Sequence, residues 1–389
     1  MKKVKKPIKY KRLRIILIPL FLISIGILIS IIIHKPPLIK ESLSYKEDLS
    51  KTSHEVSKMT FIKDGVKIKV NVSSPSQSYS FKICKLGSST CSISESTVLN
   101  GNSVEGAILL SNLENGSYEL FLDGDNSEKL TDTKEQIERL NRAHLGDKLI
   151  TFNYSNNRVK LLVEDFKYEY DVLIDPGHGG RDSGSDNGEK LEKNLNLELS
   201  LYEKKRYQDH GLKVKLIREN DSYGIKMGDP KWSLVRQRSY AIGYYGAVSK
   251  IIYSNHHNWS ASKTYSGWEI IVPGRIANDN LKVEKSIAKV WKEIYPVREK
   301  HIRFYATKAP DGGNYSRLDN QIYTFTDYYS VIRTPYDLFN VKNILYEASY
   351  INCKKDYEWY YKKGNWKKLS EVKIKNYVES LGIKYLEVS

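Results

Sequence analysis

Three residues of this 389-residue chain have the types and surroundings of metal ligands. His178 lies in Gly177-His178-Gly179-Gly180, directly after the apolar run Asp171-Val172-Leu173-Ile174. Glycines at such a point let the backbone turn sharply and bring an imidazole close to an ion. Glu192 follows a Gly-, Ser- and Asp-rich stretch (182–188), where a helix is expected to begin. His256 stands in Ser254-Asn255-His256-His257-Asn258, after the apolar run Ile251-Ile252-Tyr253. Two imidazoles and one carboxylate, with water in the fourth position, make a catalytic zinc site; a closed structural site needs four protein ligands. The three cysteines do not have metal-ligand spacing. Two neighbours compete for these roles. His257 competes with His256, because successive side chains of a strand point to opposite faces and one of the pair can meet the ion. Glu189 competes with Glu192.

The elements that must position these groups alternate. The run 171–174 reads as a strand. A helical segment follows, with Leu195, Leu199 and Tyr202 on one face, closing near His210-Gly211, where glycine suits a C-terminal cap. Then come the strand Val214-Lys215-Leu216-Ile217, a second helical stretch over 234–248 and the strand at 251–254. This order predicts an α/β domain over 170–388, a mostly parallel sheet flanked by helices. Chemistry in such sheets gathers beyond the carboxyl ends of the strands, and His178 and His256 lie just past two of them.

The region 60–166 reads differently. Val66, Ile68, Val70 and Val72 alternate with Lys67, Lys69 and Asn71, the period of a half-buried strand. Several similar runs predict a small β-rich, sandwich-like domain, with one helical stretch at 133–145 and no catalytic constellation. Residues 34–59 read as a linker. Ahead of it, 15–33 is apolar and uncharged; as a helix it would span about 28 Å, close to the hydrocarbon thickness of a bilayer. The basic tail at 1–14 carries 8 Lys and Arg residues, so the positive-inside rule predicts a single-pass anchor in the cell membrane, N-terminus cytoplasmic, with the rest exported. Ile31-Ile32-Ile33-His34-Lys35-Pro36 offers no small-x-small cleavage site. That tail supplies half of the net charge of +16, and no aromatic-interleaved basic stripe occurs elsewhere, so nucleic acid is not an expected partner. Cys84 and Cys91 are spaced for either a disulfide in an exported chain or two thiols; Cys353 reads as a buried apolar residue.

Longer motifs carry a resemblance. Asp175-Pro176-Gly177-His178-Gly179-Gly180-Arg181-Asp182-Ser183-Gly184, Glu192-Lys193-Asn194-Leu195-Asn196-Leu197 and Ser254-Asn255-His256-His257-Asn258 resemble the zinc-dependent N-acetylmuramoyl-L-alanine amidase family, as do Arg218 with Asp221, Gly267-Trp268-Glu269, Leu345-Tyr346-Glu347 and the chain end around Leu381-Gly382-Ile383. The resemblance implies a hydrolase that cuts the amide between N-acetylmuramic acid and L-alanine in peptidoglycan. It implies Zn2+ held by His178, Glu192 and His256, Glu347 as catalytic base, no organic cofactor, and a cell-wall setting in which an activator protein is a candidate partner. The family's Ser-x-His-x-Asn spacing selects His256, and its Glu-Lys-Asn-Leu-Asn-Leu register selects Glu192. Asn258 and Arg333 are candidates for substrate contact. Departures are Ile217 where threonine is usual, Asn255 and His257 in place of apolar and small residues, and an arginine expected ahead of the second helix that falls on Arg236 or Arg238, about two positions out of step. The long segment between His257 and Ile344, with Tyr323, Tyr328, Tyr329 and Tyr336, suggests a substrate wall or lid. The rival readings are a zinc peptidase acting within the stem peptide and an inactive wall-binding protein.

Overall fold

Period-2 patterning builds the first half of the structure. The computed structural model describes residues 54–388 apart from 63, 73–77, 89–90, 94–96, 111, 124–127, 133–138, 156–157, 229, 275–279, 296–301, 306–315 and 318–326. The expected tail and anchor, and the linker up to residue 53, lie outside the described residues. Among the described residues no helix is long and apolar enough to cross a membrane.

Eleven strands form the first region: β1 (His54–Ile62), β2 (Gly65–Asn71), β3 (Ser80–Lys85), β4 (Cys91–Ile93), β5 (Thr97–Asn100), β6 (Ser103–Leu109), β7 (Gly116–Asp123), β8 (Glu128–Asp132), β9 (Arg139–Leu145), β10 (Lys148–Ser155) and β11 (Arg158–Asp165). They pair in the order β5-β6-β2-β1-β8-β7-β11-β10-β9, with β3 and β4 added beside β7. Alternate side chains turn inward, so Val66, Ile68, Val70, Phe81, Ile83, Leu120, Leu122, Ile150, Phe152 and Leu161 share one core. Cys84 and Cys91 face each other across β3 and β4 and are joined as a disulfide.

Two expectations are corrected here. Strand β1 begins at His54, inside the stretch expected to be linker: Val56, Met59 and Phe61 are buried, but a bulge between Val56 and Lys58 breaks their alternation. The stretch 133–145 was expected to be helical, yet Arg139–Leu145 is strand β9, paired antiparallel with β10. A tight turn at Gly146, with φ +61°, joins the two, and burial of Ala143 and Leu145 against the β core outweighs local helix propensity. Residues 133–138 lie outside the described residues.

The second half contains β12 (Tyr170–Pro176), α1 (Glu192–Asp209), β13 (Val214–Leu216), α2 (Leu234–Gly246), β14 (Ser249–Asn258), β15 (Glu269–Ile271), α3 (Lys282–Ile294), β16 (Ile302–Phe304), β17 (Ser316–Arg317), α4 (Ser330–Phe339), β18 (Ile344–Tyr350), α5 (Lys354–Asp356), a π-helical turn (Tyr357–Lys362) and α6 (Trp366–Ser380). The sheet order is β13-β12-β14-β18-β15-β16-β17. The pairings from β13 to β18 and between β15 and β16 are parallel; β18–β15 and β16–β17 are antiparallel. Both faces are covered. Val172 and Ile174 of β12 and Ile344 and Tyr346 of β18 pack with Leu199, Trp291, Leu369 and Ile374 of α1, α3 and α6. The intervening Leu173 and Leu345 pack with Ala241, Ile242, Val331 and Ile332 of α2 and α4. The β-rich region docks on this second helical layer: Arg142 donates to the Tyr244 carbonyl at 2.7 Å, and the Tyr240 hydroxyl donates to Asn141.

Candidate metal and hydrolysis centre

At the end of β12 the backbone leaves the sheet in a conformation few residues tolerate. A Cβ on Gly177 would lie 2.5 Å from the His256 ring, and His178 itself has φ +59°, in the left-handed region. Two buried arginines hold this loop by its carbonyls. Arg218 donates to Pro176 at 2.8 Å, Gly177 at 2.9 Å and Lys193 at 2.6 Å. Arg238 donates to the carbonyls of Pro176 and His178 and, at 2.6 Å, to the Asp175 carboxylate. Burial, with the like charge of Arg238, pushes Arg218 down to about 10. Of the two arginines open from sequence, Arg238 is the one at the loop; Arg236 is exposed and stacks over Trp232 at 4.1 Å.

Glu192 opens α1 with its carboxylate aimed at the loop. One oxygen accepts from the Ser185 N–H at 2.9 Å; the other accepts from the His257 N–H at 3.0 Å. Nε2 of His178 lies 3.2 Å and Nδ1 of His256 3.1 Å from that second oxygen. Burial opposes ionisation of Glu192, but the two imidazoles outweigh it and hold the carboxyl well below the usual carboxylate range. His178 is raised despite burial, because Glu192 and Asp182 flank it, the latter 2.9 Å from Nδ1.

His178, Glu192 and His256 bring one donor atom each within 4.8 Å of one another. Nε2 of His256 is buried without a hydrogen-bond partner. Gly184 leaves the cluster its room: a Cβ there would lie 2.6 Å from both Glu192 and the His178 ring. The donor set, the orphaned ring nitrogen and this space fit a divalent metal. His257 turns elsewhere, its Nδ1 at 2.6 Å from Asn196 Oδ1 and its Nε2 against the Tyr361 hydroxyl; burial pushes it down to about 3.

Glu347 lies in β18 opposite His256 on one neighbour and Glu269 on the other. It is buried, with one carboxylate oxygen lacking a partner. Burial, then the charges of Glu192 and Glu269, push its pKa well above the usual range. Glu269 is a residue that sequence reasoning placed in a motif without giving it a role. It accepts from Tyr305 at 2.9 Å, Asn258 at 3.2 Å and Tyr350 at 3.4 Å, and pairs with Arg303 at 3.1 Å. Asn258, a candidate substrate contact, is thus tied to Glu269. Arg333, the other candidate, donates to the carbonyls of Asp327 and Tyr328 at 2.8 and 3.1 Å. Of the tyrosines expected to form a wall, Tyr328 is exposed, Tyr329 and Tyr336 are half-buried, and Tyr323 lies outside the described residues.

Behind the cluster runs a buried polar network. Lys373 Nζ lies 2.7 Å from Glu203 and donates to Asn255 at 2.7 Å; Asn255 donates in turn to Ser200 and Glu203. Asn255 therefore replaces an apolar neighbour of His256 because it has charged partners inside the fold.

The cluster defines an α/β protein in which two histidines at the carboxyl ends of parallel strands and a carboxylate at a helix start form a set able to hold a divalent metal, with a further buried carboxylate beside it. The sequence pattern of N-acetylmuramoyl-L-alanine amidases matches residues 172–377, and the chain belongs to that family. It is 33% identical over 121 residues to the germination-specific N-acetylmuramoyl-L-alanine amidase of Bacillus subtilis, a match covering 30% of this chain and 50% of that protein. The chain thus spans half the length of this relative. Among solved structures it is similar to the CwlD amidase of Clostridioides difficile in complex with the GerS lipoprotein (17% identity, TM-score 0.40, 55% of this chain and 99% of that one). It is also similar to the catalytic domain of CwlV from Bacillus (Paenibacillus) polymyxa (20% identity, TM-score 0.38, 55% and 99%).

Proposed function

We propose that the chain hydrolyses the amide between the lactyl group of N-acetylmuramic acid and L-alanine in peptidoglycan, with zinc held by His178, Glu192 and His256. The observation that carries this reading is the buried carboxylate of Glu347, beside the cluster in strand register and with an oxygen uncommitted. Zinc at these three residues supplies Lewis acidity towards the amide carbonyl and lowers the pKa of water. Glu347 takes a proton from the attacking water and returns it to the departing L-alanine nitrogen, so one residue serves as base and then acid. Its raised pKa favours the first step, because burial and the neighbouring carboxylates make it a stronger base; the second step is driven by the basicity of the departing amine, which takes the proton from the carboxyl. Glu269 stays in place through Tyr305, Tyr350, Arg303 and Asn258, and its charge sustains the proton affinity of Glu347. Arg218 and Arg238 fix the loop that aims His178.

The reading includes a setting. The basic tail at 1–14 and the apolar run at 15–33 support a cytoplasmic N-terminus and a membrane anchor, with the centre facing the wall; protease digestion of intact spheroplasts that spares the hydrolytic region would refute it. The activity is tested on the full-length chain in detergent, incubated with purified peptidoglycan before and after chelation, with products identified by mass. The expected products are peptide-free glycan and peptides that begin with L-alanine, lost on chelation and restored by zinc. Cleavage within the stem peptide would instead identify a peptidase. Wall binding without product, from a chain that holds zinc, would count against autonomous hydrolysis and call for an activator protein.

A further inference from the structure

The departure at His257 opens a connection that the reaction itself does not use. Asn196, one turn along α1 from Glu192, has an amide nitrogen placed between the Gly177 carbonyl at 3.2 Å and the Glu192 carboxylate at 3.3 Å. Both of those groups only accept hydrogen bonds, so the nitrogen must face them and Oδ1 must face away. Oδ1 is met by His257 Nδ1 at 2.6 Å; an acceptor there requires that Nδ1 carry the proton. The remaining ring nitrogen, Nε2, is then an acceptor, and the Tyr361 hydroxyl beside it must be the donor. Every proton in this chain has one direction: from Tyr361 to His257, from His257 to Asn196, from Asn196 to Glu192.

Two further features fasten the chain at its ends. The His257 backbone N–H donates to the same Glu192 oxygen, so one residue holds the carboxylate through main chain and side chain together. Tyr361 is carried by the π-helical turn, an uncommon element that inserts one residue per turn and frequently marks functional sites. Tyr357 of the same turn donates to Glu189 at 3.1 Å, in the loop that leads into Glu192.

We propose that Tyr361, His257 and Asn196 form an outer-sphere relay that sets the rotamer of Glu192 and thereby the metal affinity of the site, with the π turn as its anchor. These are positioning residues; none touches substrate. The inference rests on the zinc reading given above. Groups that orient a ligand in this way affect metal affinity about 10–100-fold.

The test is a zinc competition titration of the full-length chain against a chromophoric chelator, with the melting temperature of each metal-free variant measured alongside. Tyr361→Phe keeps the ring and removes the donor; it should weaken zinc binding about 10-fold with little change in melting of the metal-free protein. His257→Ala should weaken it further, and adding Tyr361→Phe to His257→Ala should change nothing more, because the tyrosine acts through the imidazole. His257→Gln, which offers a donor to Asn196 and an acceptor to Tyr361, should recover part of the affinity and serves if the alanine variant does not fold. A wild-type chain that binds zinc while Tyr361→Phe and the His257 variants bind equally well would overturn the relay alone. Additive effects in the double variant would do the same. A wild-type chain that binds no zinc would overturn the metal reading together with it.

Discussion

Replacing Lys373 with methionine isolates the buried network behind the metal ligands. Lys373 and Glu203 have 2% and 0% of their side chains exposed, with Nζ and Oε1 2.7 Å apart. At an effective dielectric of ~20 that separation corresponds to about 6 kcal/mol of attraction. Burial nevertheless holds the Lys373 ammonium below its ordinary range despite the carboxylate beside it, so desolvation offsets much of the attraction. Removing the cation leaves Glu203 with two neutral donors, Asn255 at 2.7 Å and the Tyr253 hydroxyl at 3.0 Å, and frees the Asn255 carbonyl of its partner. An uncompensated buried charge of this kind costs about 3–5 kcal/mol, a fall in melting temperature of roughly 6–20 °C at ~2–4 °C per kcal/mol. Because the pair is nearly balanced in place, Lys373→Met combined with Glu203→Gln should return to within about 2 kcal/mol of wild type. Denaturant unfolding of the three variants gives the coupling directly. A single variant that costs less than about 1 kcal/mol, or a double variant as unstable as the two single changes added together, would refute this balance.

Three other outcomes follow from the geometry. Gly184→Ala meets Glu192 and His178 at 2.6 Å and is strained at φ +64°, so zinc affinity should fall at least ~10-fold in a chelator titration, with ~1–2 kcal/mol lost in unfolding. Arg238→Lys cannot reproduce a guanidinium that reaches Asp175 and two loop carbonyls; about 1–3 kcal/mol of stability should be lost, read by denaturant unfolding. Burial opposes ionisation of Glu371, but Arg206, Tyr202 and Tyr385 outweigh it and lower its pKa. The depressed value stabilises the fold above the unfolded carboxylate pKa and that stabilisation is lost as pH falls through the folded one; Glu371→Gln should flatten this acid limb of the melting curve.

The legible parts of the molecule were those whose signals are local. Strand β2 shows alternation over consecutive residues, and His178 sits in a glycine-rich loop whose conformation only a few residue types permit. Glu192 stands at a helix start and His256 near a strand end, so the places where they meet His178 were readable along the chain. Strand β1 was hidden because its bulge shifts Val56 out of phase with Met59 and Phe61. Strand β9 was hidden because a helix-like composition yields to pairing with β10. The surroundings of the site were the least readable. Glu269 acquires its meaning from Arg303, Tyr350 and Asn258 on three strands and from Tyr305 just past β16. Asn196, His257 and Tyr361 meet only once α1, β14 and the π turn are packed, and no spacing along the chain announces that meeting.

On the proposed reading, Glu347 moves the proton for an amide hydrolysis carried out beside zinc bound at His178, Glu192 and His256. Bound zinc and newly exposed L-alanine amino termini should be measured on the same samples, for the wild-type chain and for Glu347→Gln, each incubated with purified peptidoglycan. Both proteins should hold one zinc, and the variant should release termini about 10²–10⁴-fold more slowly. A Glu347→Gln chain that keeps its zinc and cleaves at the wild-type rate would contradict the account.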